Sequence, residues 1–288
     1  MNPALGTVAS SSIEVQVDRR LTLPGRVWPA ENARASIAIV HGLGEYAGRY
    51  AALASELANA RFTVVALDLP GHGGAPGPRG DIPSWLAVRD TVVPAMFTAL
   101  RGIPGQSVDK PRVLLGHSMG AVMALDYAIA HPRELLAVVS SAVGLRSAMP
   151  PWWKLALANV ARVAAPTAGF PHGLEEAAMS RDQEVMRLRR ADPIMHDRIT
   201  PRLFFQFTEA QQRVLRGARM LQTPALVLHG AADRVTDPKG SLEFTGAAPH
   251  GMARLITYSG AYHELFNDLA RADVIRDLKG WLDAVVVV

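Results

Sequence analysis

The chain has 288 residues, 49% of them apolar and 19% charged. That suffices for one large α/β domain with an insertion, or two small domains, and leaves no room for wholesale disorder. It has no cysteine, which removes disulfides, thiolate metal sites and a cysteine nucleophile together and fits a reducing compartment. The net charge of +4 comes without a Lys/Arg block; the pairs Arg19-Arg20 and Arg189-Arg190 read as solvated surface, not a nucleic-acid stripe.

The opening residues lack a basic segment followed by a long apolar one, so no signal peptide is expected. No stretch reaches the roughly 18 uninterrupted apolar residues of a membrane span. Ile13 to Val17 alternates in the manner of a strand, and Leu21 to Trp28 holds a second β-like segment; the two suggest an antiparallel opening pair. Ser36 to Val40 is a short apolar run broken by His41-Gly42-Leu43-Gly44. Tyr46 to Ala60 is helical in pattern, and Phe62 to Leu69 is a buried strand that ends in a loop rich in glycine and proline, residues 70–78. Ser84 is placed to cap a helix running through Trp85 and Val92 towards Leu100.

The apolar run Val113-Leu114-Leu115 then meets Gly116-His117-Ser118-Met119-Gly120, and a helical pattern starts at once. A strand that feeds a helix without a loop strains the residue at the tip and needs near-absent side chains two residues to either side. Gly116 and Gly120 meet that need. Ser118 would project its hydroxyl from the sheet edge, and the Met119 amide would lie at a helix N-terminus, where donors are unpaired. Leu135 to Val139 is a further strand, and the alternation so far argues a mostly parallel sheet with helices on both faces. Residues 144–222 show no strand pattern. They carry helical patches rich in aromatics and methionine, among them Met149, Trp152 and Trp153, and read as an inserted helical cap within a single domain spanning 1–288. Strand patterns resume at Ala225 to Leu228 and Arg254 to Tyr258, and a last helix is expected from about Glu264 to the end.

A serine hydroxyl needs a base to become nucleophilic, and histidine suits that near neutral pH. Among nine histidines, His263 follows the last strand, where catalytic groups of parallel sheets gather, whereas His250 precedes it. The base needs a buried carboxylate to fix its tautomer. Asp233 lies just past the strand ending in His229-Gly230. Its rival Asp237 precedes Pro238, which reads as a helix N-cap, so Asp237 is assigned to capping and Asp233 to catalysis. The order Ser118, Asp233, His263 is that of α/β-hydrolases, whose second oxyanion donor comes from the loop after the third strand; here that is most simply the Leu43 amide.

With these residues in place, the chain resembles the α/β-hydrolases of the monoacylglycerol lipase/lysophospholipase group. The resemblance rests on His41-Gly42-Leu43-Gly44-Glu45 with Gly48-Arg49-Tyr50, on Asp68-Leu69-Pro70-Gly71-His72-Gly73, on the serine elbow, on Leu228-His229-Gly230 with Asp233-Arg234-Val235, and on Gly260-Ala261-Tyr262-His263-Glu264. It runs from about residue 36 to the C-terminus and is weak only in the cap. It implies an eight-stranded, mostly parallel sheet. It also implies hydrolysis of a lipid-like ester through Ser118, Asp233 and His263, with Leu43 and Met119 as oxyanion donors and neither metal nor organic cofactor.

Glu45 and Arg49, spaced i, i+4, are either a helix pair or the alcohol side of the pocket. Phe266 stands where the animal lipase carries a polar histidine near its glycerol pocket, which weakens an inference of glycerol recognition. In this family the cap lies above the nucleophile and builds the acyl pocket. Trp152 and Trp153 are read first as packing or tunnel lining, second as a membrane-surface contact. The expected setting is cytoplasmic, peripheral to membranes if the cap touches them. The same scaffold also serves peptidases, thioesterases, carbon–carbon hydrolases, perhydrolases and small-ester carboxylesterases, and a non-catalytic ligand binder is the remaining alternative.

Overall fold

The computed structural model describes residues 7–103, 109–146 and 151–286. Met149 and Pro150 at the expected opening of the cap, the first six residues and Val287-Val288 fall outside them.

The opening strands β1 (Ser11–Gln16) and β2 (Thr22–Trp28) pair antiparallel, as their alternation predicts. β3 (Ala35–Val40) leads through a 3-10 turn at Ala47–Tyr50 into α1 (Ala51–Asn59), then β4 (Phe62–Leu67). The expected single helix from Tyr46 therefore forms in two pieces. α2 (Trp85–Thr98) starts where predicted, with the Ser84 hydroxyl accepting from the Ala87 amide at 3.3 Å. β5 (Arg112–His117), α3 (Met119–Ala130) and β6 (Ala137–Ser141) follow; β6 sits two residues later than its apolar run suggests.

The chain then leaves the sheet for α4 (Trp152–Ala164), the two-residue β7 (Phe170–Pro171), α5 (Gln183–Ala191), the two-residue β8 (Arg198–Ile199) and α6 (Pro201–Gly217). β7 and β8 form a small antiparallel ribbon, too short to carry a period and so invisible to pattern reading. The sheet resumes with β9 (Ala225–Gly230), α7 (Pro238–Ala247) and β10 (Ala253–Tyr258). The chain closes with α8 (Arg271–Val285), which starts later than expected because Leu265–Asn267 form a separate 3-10 turn.

The sheet has eight strands in the order β1-β2-β4-β3-β5-β6-β9-β10, parallel from β4 onwards. Alternate residues of each central strand face opposite layers. Val40, Val65, Leu114, Val138 and Val227 pack with α2, α3, α6 and α7, while Ile39, Val64, Leu115, Val139 and Leu228 pack with α1 and α8. Leu203, Ala210 and Val214 of α6 are fully buried in the first of these layers, so α6 is part of the core. Ser118 follows β5, between β3 and β6, where loops from both neighbours can reach it.

Candidate active site

The junction of β5 and α3 places Ser118 at φ 54°, ψ −114°, a left-handed backbone that a non-glycine residue adopts only under constraint. The constraint is visible. The Ser118 amide donates to the Ser141 carbonyl at 2.9 Å, and the Gly144 amide donates to the Ser118 carbonyl at 3.3 Å. A Cβ on Gly116 would lie 2.2 Å from the Gly120 carbonyl oxygen, and one on Gly120 would lie 2.1 Å from that of Val40. Both glycines are thus required by the crossing of chains.

Ser118 Oγ lies 3.0 Å from His263 Nε2, and His263 Nδ1 lies 2.8 Å from Asp233 Oδ2. A carboxylate only accepts, so Nδ1 carries the proton, Nε2 presents its lone pair, and the serine hydroxyl donates to it. Asp233 and His263 are buried, whereas Ser118 is partly exposed. Burial alone would raise the Asp233 pKa. Hydrogen bonds from His229 and His263, the charge of His263 and the Thr236 amide outweigh it and hold the group well below the carboxylate range. Oδ1 accepts the amides of Val235 at 2.8 Å and Thr236 at 3.0 Å, and Oδ2 accepts the Thr236 hydroxyl at 2.9 Å. Asp237 caps α7 by accepting from the Lys239 amide at 2.9 Å, the role its following proline foretells.

Met119 opens α3, so its amide lies in the first turn, which the helix itself cannot satisfy. Across from it, the 42–45 turn is closed by the Glu45 amide on the Gly42 carbonyl at 3.3 Å and the Gly42 amide on Glu45 Oε2 at 2.9 Å; the Leu43 amide takes part in neither.

Glu45 and Arg49 do not form the expected i, i+4 pair. Glu45 precedes the 3-10 turn and accepts from Gly42 and from the Tyr50 hydroxyl at 2.6 Å, while Arg49 donates to Glu264 at 2.6 Å. Burial would raise the Glu45 pKa, but His117, Arg49 and the Tyr50 hydroxyl bring it down to about 2. Glu45, Arg49 and Phe266 border an internal cavity of about 10 Å³, the size of one water. Phe266 is buried in the α1/α8 layer. These three side chains share that cavity with His117 and Glu264. Trp152 and Trp153 are 80% and 52% exposed.

Three residues beside the triad are assigned no role by sequence reasoning. His229 reaches within 3.2 Å of Asp233 Oδ2, and Thr236 bonds the same oxygen. The i, i+4 spacing of His229 to Asp233 across a glycine turn is the signal that could have found the first. Glu264, 3% exposed, accepts from Arg49, from Arg189 of α5 at 3.1 Å and from Asn267 at 3.1 Å. An acidic residue set between His263 and the apolar pair Leu265-Phe266 is the signal for burial there. Beside the Asp233 loop a cleft of about 760 Å³ opens between Leu145, Thr208, Gln211, Leu215, Val235 and Pro238.

Residues 31–270 match the Hydrolase_4 family, described as serine aminopeptidase, S33. A monoacylglycerol lipase of Mycolicibacterium smegmatis is 33% identical over 263 residues, 89% of this chain and 91% of its own. The monoglyceride lipase of Homo sapiens is 30% identical over 89% of this chain and 85% of its own. The crystal structure of a monoacylglycerol lipase from Paleococcus ferrophilus superposes with a TM-score of 0.83 at 30% identity, over 91% of this chain and 99% of that one. The chain belongs to the serine aminopeptidase S33 family and has the α/β-hydrolase fold.

Proposed function

We propose that this chain is a serine hydrolase of carboxylic esters with a lipid-like acyl group, monoacylglycerols foremost, working through an acyl-enzyme on Ser118. The observation that carries this reading is the hydrogen-bonded line from Ser118 Oγ through His263 to Asp233, at 3.0 and 2.8 Å. His263 takes the Ser118 proton as Oγ attacks the ester carbonyl. The oxyanion is held by the Leu43 and Met119 amides, each such donor contributing about 3–4 kcal/mol to the barrier. His263 then protonates the leaving alcohol. Water repeats the sequence to release the acid. Asp233 keeps the imidazole in the productive tautomer and stabilises its charged form.

The lipid side of the proposal draws on the relatives named above and on α4. In this reading the excursion between β6 and β9 lies over Ser118, with α6 packed into the core beneath its outer part, and the apolar side of α4 rests transiently on the substrate's lipid surface. Trp152 and Val163 are each 80% exposed and Leu157 and Val160 are 60% and 65% exposed, with Arg162 on the same helix. Among the described residues no helix is long and apolar enough to cross a membrane.

The test is hydrolysis of p-nitrophenyl esters and monoacylglycerols of graded chain length by the wild type and Ser118→Ala. Turnover on the lipid esters should fall at least about 10,000-fold in a folded alanine variant. An active Ser118→Ala enzyme would refute the site, and activity confined to short esters would refute the lipid substrate.

A further inference from the structure

We propose that His229 is a second histidine on the triad carboxylate, a positioning residue that holds Asp233 ionised and oriented and tempers the basicity of His263. The inference rests on the reading of Ser118, His263 and Asp233 given above.

His229 lies near the end of β9, beside Thr257 of β10, and is fully buried. Its Nε2 is 3.2 Å from Asp233 Oδ2 and 3.3 Å from the Thr236 carbonyl oxygen. Both of those atoms only accept, and the Thr236 hydroxyl, also 3.3 Å from Nε2, gives its proton to Asp233 Oδ2, so Nε2 carries the proton. Nδ1 is then a bare acceptor, and the buried Ser241 hydroxyl of α7 meets it at 2.6 Å. The tautomer is thus fixed at Nε2, where only acceptors face the proton, and the Ser241 hydroxyl adapts to it by donating to Nδ1.

The contact falls on Oδ2, the oxygen that His263 also uses. Oδ2 is hydrogen-bonded by His263 Nδ1 and the Thr236 hydroxyl, and the His229 N–H, shared with the Thr236 carbonyl, lies 3.2 Å from it as a third, bent donor. A histidine that merely filled the core could be replaced by an apolar side chain of its volume. This one aims an N–H at a buried anion whose side chain is 0% exposed and whose ionised form survives burial only through such donors.

Every donor on Oδ2 draws off part of its charge and weakens its pull on the proton of His263. Removing the His229 donor leaves more charge for His263, favours the imidazolium and raises the pH below which the base is blocked. The other titratable groups around the pair are unchanged by that removal. His117 of β5 has its ring centroid 4.9 Å from that of His263, and Glu45 and Glu264 act on His117.

The experiment compares kcat/KM pH profiles of wild type, His229→Leu and His229→Gln on a soluble p-nitrophenyl ester, with the low-field proton resonance of the His263–Asp233 hydrogen bond recorded for each. In His229→Leu the acid limb should move up by about half a unit or more and the resonance should shift. Its kcat should fall about tenfold with KM unchanged, since a loosened imidazole spoils the attack geometry. The amide of His229→Gln can place an N–H where Nε2 stood and should return both readouts towards wild type. A folded His229→Leu enzyme with the limb and resonance in place would overturn the proposal, as would an equal shift in the Gln variant. If His229→Leu does not fold, Ser241→Ala, which strips Nδ1 of its partner and loosens the ring while keeping it, should move the limb the same way by less; an unmoved limb there overturns it too. Failure here is separable from failure of the proposed function, because only the latter lets Ser118→Ala stay active.

Discussion

α4 and α5 belong to the same excursion between β6 and β9, yet they meet the rest of the molecule in opposite ways. Among its described side chains α4 offers only Leu155, Ala158 and Ala161 as half-buried positions, and its remaining apolar side chains face outward. α5 and the turn before it are fastened to the loop that carries His263. The Glu264 amide donates to the Met179 carbonyl at 2.7 Å, the Ser180 hydroxyl donates to the Asn267 carbonyl at 2.8 Å, and Arg181 Nε donates to the fully buried carboxylate of Asp268 at 2.9 Å. Arg189 of α5 shares the Glu264 carboxylate with Arg49, which follows the 42–45 turn. Further along, the His196 amide donates to the Gly44 carbonyl of that turn at 3.2 Å. The excursion is therefore two structures. One is part of the frame that holds the His263 loop and the 42–45 turn; the other is an apolar surface carried on that frame.

The strongest way to break this contrast is Glu264→Leu. It leaves Arg49 and Arg189 facing one another with side chains only 12% and 13% exposed and no shared anion. Removing one partner of such a group typically costs about 3–5 kcal/mol. Chemical denaturation should show a loss of that order, and turnover should drop in the folded fraction as the His263 loop is released. Unchanged stability would mean that α5 is not held through Glu264.

Acid should loosen the fastened part before it affects α4. Burial and the nearby Arg79 lower the His196 pKa from 6.5 to about 4, so the unfolded chain takes up a proton that the fold resists. That contribution is complete above pH 6.5 and is lost as pH falls towards about 4. Glu45, held at about 2 against an ordinary 4.5, contributes stability that is complete above 4.5 and disappears as pH falls through about 2. Denaturant midpoints measured from pH 7.5 to 3 should fall in two stages. His196→Gln should flatten the first and Glu45→Gln the second. A one-stage curve untouched by either substitution would count against these assignments.

On the α4 side the expected effects on stability are smallest. Trp152→Ser with Val163→Ser should change the unfolding free energy by no more than about 0.5 kcal/mol, because little is buried there to lose. The same pair should weaken binding to phospholipid vesicles about tenfold if α4 seats its apolar side in the lipid surface. A large loss of stability would show that this side is covered in solution.

The sequence made the elbow legible because its constraint is steric and local. Gly116, Ser118 and Gly120 sit within five residues, and the crossing chains allow nothing larger at either glycine. Asp237 and Asp233 could be told apart because a proline at the first helical position marks a cap. Glu264 could not be read in the same way. Its partners lie 215 and 75 residues away, and no period connects them. α4 was hard to read for a different reason. Trp152, Ala156 and Val163 form one apolar stripe and Trp153, Leu157 and Val160 another, so the pattern is apolar on two adjoining faces and cannot say which is covered. Phe266 sits in a 3-10 turn buried against α1 and α8, not on the helix the pattern extends back to Glu264, so its facing could not be inferred.

The most direct measurement of the central claim is covalent capture of the nucleophile. A fluorophosphonate probe should add one equivalent to the wild-type chain, and mass spectrometry of the digest should place it on Ser118. Ser118→Ala should take up none, and His263→Ala should react far more slowly while remaining folded. Stoichiometric labelling at another serine, or none on a folded wild-type chain, would contradict the account.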